Sequence, residues 1–383
     1  MNKPNYKNGS IINLMSSIKR TLGGTHKYTP LRNFDSNKYK DKNIILIVAD
    51  GLGYDFLTKR HTKSFLNQHL HSKITSVFPA TTACAMTALS IGLPPQQHAL
   101  TGWYTYLKEI GDITTVLPFT TRLGFNLKDV AINYKDIFDQ KSFFEDIDAE
   151  SVVIKHEDYL HSEFSQVTDK GSIPLGYTDL DGFFEKIREG IEIGDRRKYI
   201  WAYWPSIDSL SHEYATDSEE VANHFEEFDK KIEQLSIWLK DKNPNTPLTA
   251  DHGLIDTKEK DKVVLLENHP EFLESLALPL SGEPRVAYCY VRPNRVKIFK
   301  HYVNTVFKDV CDLYLSDDLI KENYFGLYEP HPKLKDRVGD YTLIMKDNYI
   351  MKDIVLGEKR RIFMGNHGGL SDEELFVPLV VIE

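Results

Sequence analysis

The amino-acid sequence predicts an α/β fold: a three-layer α/β/α sandwich with a mostly parallel central sheet and a small α+β insertion that forms a cap. Three apolar runs, residues 43–49, 198–204 and 375–382, show little alternation with polar side chains. Such runs are typical of strands buried on both faces, as in a parallel sheet. Between the last two, residues 220–239 carry apolar side chains three and four positions apart, which predicts a helix. Strands that alternate with helices indicate helices on both faces of the sheet.

A change in sequence pattern along the chain, from long apolar runs to short strand-like runs, predicts the domain division. Residues 258–360 contain short strand-like runs at 285–292, 341–345 and 349–351, separated by turns. We therefore expect an α/β core formed by residues 1–257 and 361–383, with an α+β insertion at 258–360. Residues 1–41 are mixed in composition, and we expect them to form an arm or a short helix that lies over the core.

Composition limits the classes of partner. The chain has 383 residues, of which 41% are hydrophobic and 27% charged, so it can bury a large core. With 47 basic and 56 acidic side chains the formal net charge is −9, so we expect no nucleic acid polymer and no membrane as a partner. A phosphorylated substrate would then need local positive charge from a metal, a few basic side chains or a helix N-terminus.

Cysteine content and the N-terminal segment bear on the compartment. Cys84, Cys289 and Cys311 are too few and too scattered for a disulfide framework, and none belongs to a Cys-x-x-Cys pair. The N-terminal segment lacks the apolar run of a signal peptide, and no stretch is long enough to span a bilayer. We therefore expect a cytoplasmic protein, and the sequence leaves its oligomeric state open.

Six side chains with metal-binding chemistry lie beside the ends of apolar strands. They are Asp50, Asp208, His212, Asp251, His252 and His367. Ligands of an open α/β sheet bind at the carboxyl ends of its strands, so these side chains are expected to converge. Three carboxylates and three imidazoles suffice for two ions, and this mixture suits zinc, with manganese as the second choice. Taken singly, each residue could equally be a helix cap or part of a turn.

A hydroxyl group near these residues could act as a nucleophile. Pro79 ends an extended stretch, and the small side chains that follow predict a buried helix with Thr82 at its N-terminus. Free N–H groups at that position favour a phosphate, and a hydroxyl bound to a metal there would become a nucleophile at neutral pH. Thr81 is the rival nucleophile, and either threonine could be a simple helix cap.

Five motifs together resemble a known family. They are Asp50-Gly-Leu-Gly53, Phe78-Pro-Ala-Thr-Thr82, Asp208-x-x-x-His212, Asp251-His252-Gly253 and His367-Gly368. In this order they resemble the alkaline phosphatase superfamily, and within it the type I phosphodiesterase/nucleotide pyrophosphatase family. The resemblance extends from residue 43 to residue 383, which is nearly the whole chain.

The resemblance implies a ligand set and a mechanism. Asp50, Thr82, Asp251 and His252 would hold one zinc ion, and Asp208, His212 and His367 would hold the other. Thr82 would attack the phosphorus of a small phosphorylated substrate and form a phosphothreonine intermediate. The implied activity is that of a metal-dependent phosphodiesterase or nucleotide pyrophosphatase.

Two features depart from the family pattern. Nucleotide-cleaving members usually carry an asparagine near the position of Trp103, and Ala99 stands where glycine is usual. Trp103 could instead stack on a base or line an apolar pocket. Arg285 and Arg337 are candidates, by chemistry alone, for binding the extra oxygens of a phosphate monoester.

Other activities remain open at this stage. The same metal site could serve a phosphomonoesterase, a phosphonate hydrolase or a sulfatase-like hydrolase, and the fold could also belong to a non-catalytic binder of phosphorylated ligands. Specificity in such folds comes from loops and insertions, here residues 104–175 and 258–360.

Overall fold

The computed structural model describes residues 2–242 and 244–382, and these form two large sheets surrounded by helices. The strands, numbered in chain order, are β1 (Asn43–Ala49), β2 (Leu70–Thr75), β3 (Tyr104–Leu107), β4 (Asp112–Thr115), β5 (Thr120–Thr121), β6 (Glu150–His156), β7 (Ile173–Tyr177), β8 (Lys198–Trp204), β9 (Pro244–Thr249), β10 (Ile255–Asp256), β11 (Val263–Leu265), β12 (Ser281–Glu283), β13 (Val286–Cys289), β14 (Cys311–Leu315), β15 (Tyr341–Met345), β16 (Ile350–Lys352), β17 (Gly365–Asn366) and β18 (Phe376–Ile382).

Helices of very different length connect these strands. They are α1 (Ile11–Thr21), α2 (Phe65–Gln68), α3 (Thr82–Ile91), α4 (Pro95–His98), α5 (Tyr134–Ile137), α6 (Glu157–Leu160), α7 (Glu163–Thr168), α8 (Leu180–Glu192), α9 (Ser206–Tyr214), α10 (Glu219–Leu239), α11 (Pro270–Ser275), α12 (Val296–Thr305), α13 (Ser316–Lys321), α14 (Leu334–Arg337) and α15 (Asp372–Leu375). Among the described residues, no helix is both long enough and apolar enough to cross a bilayer.

The central sheet has seven strands in the order β2-β18-β9-β1-β8-β6-β7. β1 pairs in parallel with β8 and β9, and β6 pairs in parallel with β7 and β8. β18 runs antiparallel to both of its neighbours, β2 and β9. The predicted mostly parallel sheet is confirmed. The apolar runs at 43–49 and 198–204 are the buried strands β1 and β8, and the last run forms the antiparallel strand.

Helices cover both faces of this sheet. Successive strand residues point to opposite faces of a sheet, so the side chains of Tyr199 and Ile200 in β8 contact the layers on its two sides. Tyr199 packs on Phe143, with ring centroids 5.3 Å apart. Ile200 faces α8 on the other side, where a Cβ built on Gly190 would lie 3.3 Å from its Cδ1 atom. The expected three-layer α/β/α arrangement is therefore present.

The second sheet is antiparallel and has the order β14-β15-β13-β12-β3-β4-β5. Its strands come from two stretches of chain, residues 104–121 and 281–345. They join where Gly102 approaches Gly282 so closely that a Cβ on Gly102 would lie 2.8 Å from the Gly282 Cα. The predicted boundaries of the insertion, 258–360, stay a prediction, but its sheet includes three strands from the preceding segment.

The N-terminal arm contacts the segments that flank α3 and residues 324–327. Tyr6 is buried, and its hydroxyl donates a hydrogen bond to the Tyr324 carbonyl (3.0 Å) and accepts one from the Phe78 N–H (3.0 Å). Further along the arm, the Tyr28 hydroxyl contacts the Gln97 side chain and the Leu327 carbonyl, each at 2.8 Å. The arm therefore holds residues 324–327 of the insertion against the segments on either side of α3.

Candidate metal centre

Two neighbouring parallel strands deliver the first group of candidate ligands. Asp50 follows β1, and Asp251 and His252 follow β9, so the sheet places them at one edge. The turns beyond them pack glycine on glycine, because a Cβ on Gly253 would lie 2.8 Å from the Gly53 Cα. This close approach brings the two strand ends together.

The first group has its ligand atoms within 4.8 Å of one another. His252 Nε2 lies 3.4 Å from Asp50 Oδ1 and 3.4 Å from Asp251 Oδ2. The other ring nitrogen, Nδ1, lies 3.1 Å from the Gly253 carbonyl, which can only accept a hydrogen bond. In the neutral ring Nδ1 therefore carries the proton, and the Nε2 lone pair faces both carboxylates, which is the orientation of a metal ligand.

A second group forms on α9 and the loop before β18. Asp208 and His212 are four residues apart on α9, with Asp208 Oδ2 and His212 Nε2 3.3 Å apart. His367 Nε2 lies 3.8 Å from Asp208 Oδ1. The Gly365 carbonyl lies 2.7 Å from His212 Nδ1 and so orients that ring in the same way as Gly253 orients His252.

The two groups are in direct contact. The rings of His252 and His367 stack with centroids 3.9 Å apart, and the N–H of Asp208 donates to the Asp50 carbonyl at 3.1 Å. Ligand atoms of Asp208, His252 and His367 also lie within 4.8 Å of one another. All six side chains that the sequence singled out therefore meet in one place, with His252 between the two groups.

The electrostatics of this cluster fit a cation. Burial, together with the nearby charges of Asp251 and Asp208, raises the pKa of Asp50 well above its ordinary value. Burial also raises the pKa of Asp251 and lowers that of His367. Among the described residues, the oxygens Asp50 Oδ1, Asp251 Oδ2 and Asp208 Oδ1 have no hydrogen-bond donor. Buried carboxylate oxygens without partners are costly, and a divalent cation would satisfy them.

Thr82 lies beside the first group. It is the first residue of α3, and its Oγ1 atom lies 3.1 Å from His252 Nε2. Thr81, the rival nucleophile, precedes the helix and donates its hydroxyl to Glu283 Oε1 at 2.7 Å. Of the two threonines, only Thr82 has its hydroxyl in contact with a candidate ligand among the described residues.

Sequence reasoning missed three residues that support the site. Buried Glu283 accepts hydrogen bonds from the Thr81 hydroxyl and from the Trp103 N–H (2.6 Å), and burial raises its pKa to about 7. The Tyr203 hydroxyl donates to Asp50 Oδ2, and the ring of Phe363 packs on His212 at 4.3 Å. Tyr203 lies one residue before the end of β8, and that position was a usable signal, whereas nothing in the local sequence marks Glu283.

The two arginines considered for binding the extra oxygens of a phosphate monoester have other contacts. Arg285 is 1% exposed and forms a two-bond ion pair with Glu374, at 3.0 and 2.8 Å. Arg337 is fully buried and donates to the Ala99 carbonyl and to Glu109. Both side chains therefore serve the packing of the insertion and neighbouring loops.

The chain matches the family model described as type I phosphodiesterase/nucleotide pyrophosphatase over residues 44–122 and 127–370. The matched residues include all six candidate ligands and Thr82. The chain belongs to this family. This membership indicates a phosphoric ester hydrolase.

Solved structures share the fold. A murine ectonucleotide pyrophosphatase/phosphodiesterase 5, an inactive variant in complex with AMP, is 17% identical with a TM-score of 0.65, covering 88% of this chain and 87% of that chain. A phosphonoacetate hydrolase from Sinorhizobium meliloti 1021, in complex with phosphonoacetate, is 15% identical with a TM-score of 0.65, covering 89% and 90%. No curated protein sequence matches the chain.

Proposed function

We propose that this family member is a two-metal phosphodiesterase or nucleotide pyrophosphatase that uses Thr82 as its nucleophile. The observation that carries the proposal is that the six candidate ligands converge next to the Thr82 hydroxyl. Three of them are carboxylates, and each has a buried oxygen without a hydrogen-bond donor among the described residues.

In this proposal the ligand sets follow the two groups. Asp50, Asp251, His252 and Thr82 would hold one ion, and Asp208, His212 and His367 would hold the other. Mixed carboxylate and imidazole ligands favour zinc, with manganese as the alternative. When bound, two such ions would lower the pKa of a bound hydroxyl and neutralise charge on the transferred phosphoryl group.

The residues of the chain would perform the remaining steps. The Thr82 oxygen attacks phosphorus in line with the leaving oxygen, so that one P–O bond forms while the other breaks. The first N–H groups of α3 have no partners within the helix, so they would be available to donate to the phosphoryl oxygens. Water then cleaves the phosphothreonine, which releases phosphate or its monoester and restores the hydroxyl.

A phosphonate hydrolase is the second candidate. It is favoured by the fold shared with a structure that binds phosphonoacetate, and by Trp103, near whose position the family resemblance implies an asparagine in nucleotide-cleaving members. The same nucleophile and ligands would serve both reactions, so the choice depends on the groups around the leaving group.

Replacement of the nucleophile tests the proposal. We expect Thr82→Ala to lower kcat on bis-p-nitrophenyl phosphate by roughly 10³-fold or more, because attack would lose its oxygen. Zinc content, measured by elemental analysis, should stay near that of the parent protein. Thr87→Ala is the matched control, since Thr87 lies on the same helix and donates to the Ala83 carbonyl. A Thr82→Ala enzyme with parental turnover would disprove the mechanism.

A further inference from the structure

A lysine at the edge of the metal centre has no partner that explains its position. Lys352 is the last residue of β16, where it pairs with Leu265 of β11, and its side chain is half-buried. Within residues 2–242 and 244–382, its ammonium group makes no hydrogen bond and no ion pair within 4 Å. An ammonium group has three donors and is costly to desolvate without an acceptor.

The surroundings of Lys352 place it near the ligands. Its Nζ atom lies 5.6 Å from the centroid of the Phe363 ring, and the same ring also packs on His212, with centroids 4.3 Å apart. The positive charge of Lys352 opposes the rise in the pKa of Glu283 and adds to the lowering of the pKa of His367. Lys352 is therefore a cation that the insertion contributes to the edge of the candidate centre.

The nearby carboxylates already have closer donors. Glu283 accepts from the Thr81 hydroxyl and the Trp103 N–H. Glu358 accepts from the guanidinium of Arg122 at 3.0 Å and from the Tyr104 hydroxyl at 3.1 Å. Neither carboxylate bonds Lys352 directly, although both attract its charge.

One further cation lies beside Lys352. Arg361 is exposed and its guanidinium lies 4.8 Å from the Phe363 centroid. Arg122 is the other nearby cation, but it is committed to Glu358 and to the Leu280 and Asp353 carbonyls. Lys352 and Arg361 are thus two cations on the same aromatic ring that packs on His212, and neither has an anionic partner among the described residues.

We propose that Lys352, assisted by Arg361, binds a second anionic group of the substrate, adjacent to the phosphoryl or phosphonyl group that reacts. This inference rests on the proposed function and narrows its substrate class to molecules with two neighbouring negative groups. The second group is either the other phosphate of a pyrophosphate bond or a carboxylate, since an ammonium–guanidinium pair recognises both.

Kinetics with matched substrates test the proposal. NAD carries a pyrophosphate bond, whereas bis-p-nitrophenyl phosphate has one negative charge. We expect Lys352→Met to raise KM for NAD by about tenfold or more, the scale of a lost charge-assisted contact, and to change kcat/KM for bis-p-nitrophenyl phosphate by less than about twofold. Lys352→Arg should retain most of the affinity. Lys300→Met, an exposed lysine of α12, is the control and should change neither.

Calorimetric binding to zinc-loaded Thr82→Ala protein gives a readout that needs no turnover. Phosphonoacetate has a carboxylate beside its phosphonyl group, and phenylphosphonate lacks one. If the second group is a carboxylate, adding Lys352→Met should lower the affinity for phosphonoacetate about tenfold and leave the affinity for phenylphosphonate unchanged. An effect on NAD kinetics alone would identify a phosphate instead.

The failures of the two proposals can be told apart. The role of Lys352 is overturned if Lys352→Met changes neither the KM for NAD nor the affinity for phosphonoacetate, or if it lowers the affinities for phenylphosphonate and phosphonoacetate equally. Hydrolysis through Thr82 would still stand. If the parent protein hydrolyses no ester but Lys352→Met selectively weakens phosphonoacetate, the anion site stands and the proposed function falls. Equal zinc content and equal melting temperature of the variants would exclude a structural cause.

Discussion

The ion pair between Arg285 and Glu374 connects the insertion to the loop that carries His367. Glu374 Oε1 also accepts a hydrogen bond from the Gly369 N–H at 2.7 Å, and Arg285 donates to the Tyr349 carbonyl at 2.6 Å. Burial alone would raise the pKa of Glu374, but the charge and hydrogen bonds of Arg285, together with hydrogen bonds from Gly369 and Ser371, outweigh it, and the pKa is lowered. The charged pair is therefore a structural element of the site.

Removal of one member of this pair should destabilise the fold. Arg285→Ala leaves a buried carboxylate without its cation, so we expect a loss of about 3–5 kcal/mol in the free energy of unfolding, measured by urea denaturation at pH 7. Arg295→Ala breaks an exposed pair with Glu274 and should cost at most about 1 kcal/mol. A loss from Arg285→Ala as small as that of the control would contradict this account.

The same pair predicts a pH dependence. Because the pKa of Glu374 is lower in the folded state, its stabilising contribution is present above the unfolded pKa of about 4.5 and is lost as the pH falls through the folded pKa. Glu374→Gln should therefore be most destabilising at pH 7 and progressively less so below about pH 4. Urea denaturation of both proteins across this range measures the difference. A constant difference would show that the carboxylate charge is not responsible.

At the scale of elements, the packed turns after β1 and β9 control the distance between the candidate ligands. A Cβ on Gly253 would lie 2.0 Å from the Glu373 carbonyl oxygen as well as 2.8 Å from the Gly53 Cα. A Cβ on Gly53 meets milder contacts, at 3.1 Å from the Glu373 carbonyl oxygen and from the Gly253 Cα. The turn that holds Asp251 and His252 thus has no space for a side chain.

Gly253→Ala should therefore displace the ligands that precede it. We expect zinc affinity to fall by about tenfold or more, measured by competition with a chromophoric chelator. Residues that orient metal-ligating side chains without binding the metal have effects of that size. Gly53→Ala, the matched control, should have a smaller effect. Equal affinities for the two variants would show that the glycine contact does not set the ligand geometry.

Elements with continuous apolar character were predictable from sequence, and their partners were not. Strands β1 and β8 match the runs at 43–49 and 198–204 because both faces of each strand are buried. The run at 375–382 has the same composition, yet it forms an antiparallel strand, since direction depends on the connection and not on side-chain type. The six candidate ligands could be identified because strand ends carried unusual polar residues. Glu283 and Lys352 could not, because their neighbours come from distant segments.

At the scale of the whole molecule, the proposed metal binding would be linked to pH through the buried carboxylates. The raised pKa values of Asp50 and Asp251 mean that the metal-free folded protein holds protons that the unfolded chain releases above about pH 4. The stability of the metal-free protein should therefore decrease as the pH rises above that value. Binding of the proposed metal ions would favour the charged carboxylates and offset this loss of stability.

Thermal unfolding with and without chelator tests this linkage. We expect saturating zinc to raise the melting temperature. The free energy of unfolding should increase by about 2.7 kcal/mol when free zinc is 100-fold above its Kd. The difference between zinc-loaded and chelated protein should be larger at pH 8 than at pH 5. Asp50→Asn, which removes one of the two titrating carboxyls, should reduce that pH dependence. A difference that is the same at both pH values would contradict the assignment.

The hydroxyl of Tyr6 has a practical consequence for anyone who alters the beginning of the chain. It bonds the amide of Phe78, four residues before Thr82, and the carbonyl of Tyr324 in the insertion. Trimming the first ten residues would free both of these groups at once. Shortened versions chosen for easier crystallisation could thus lose alignment between the threonine and the overlying segment while every ligand side chain remained in place.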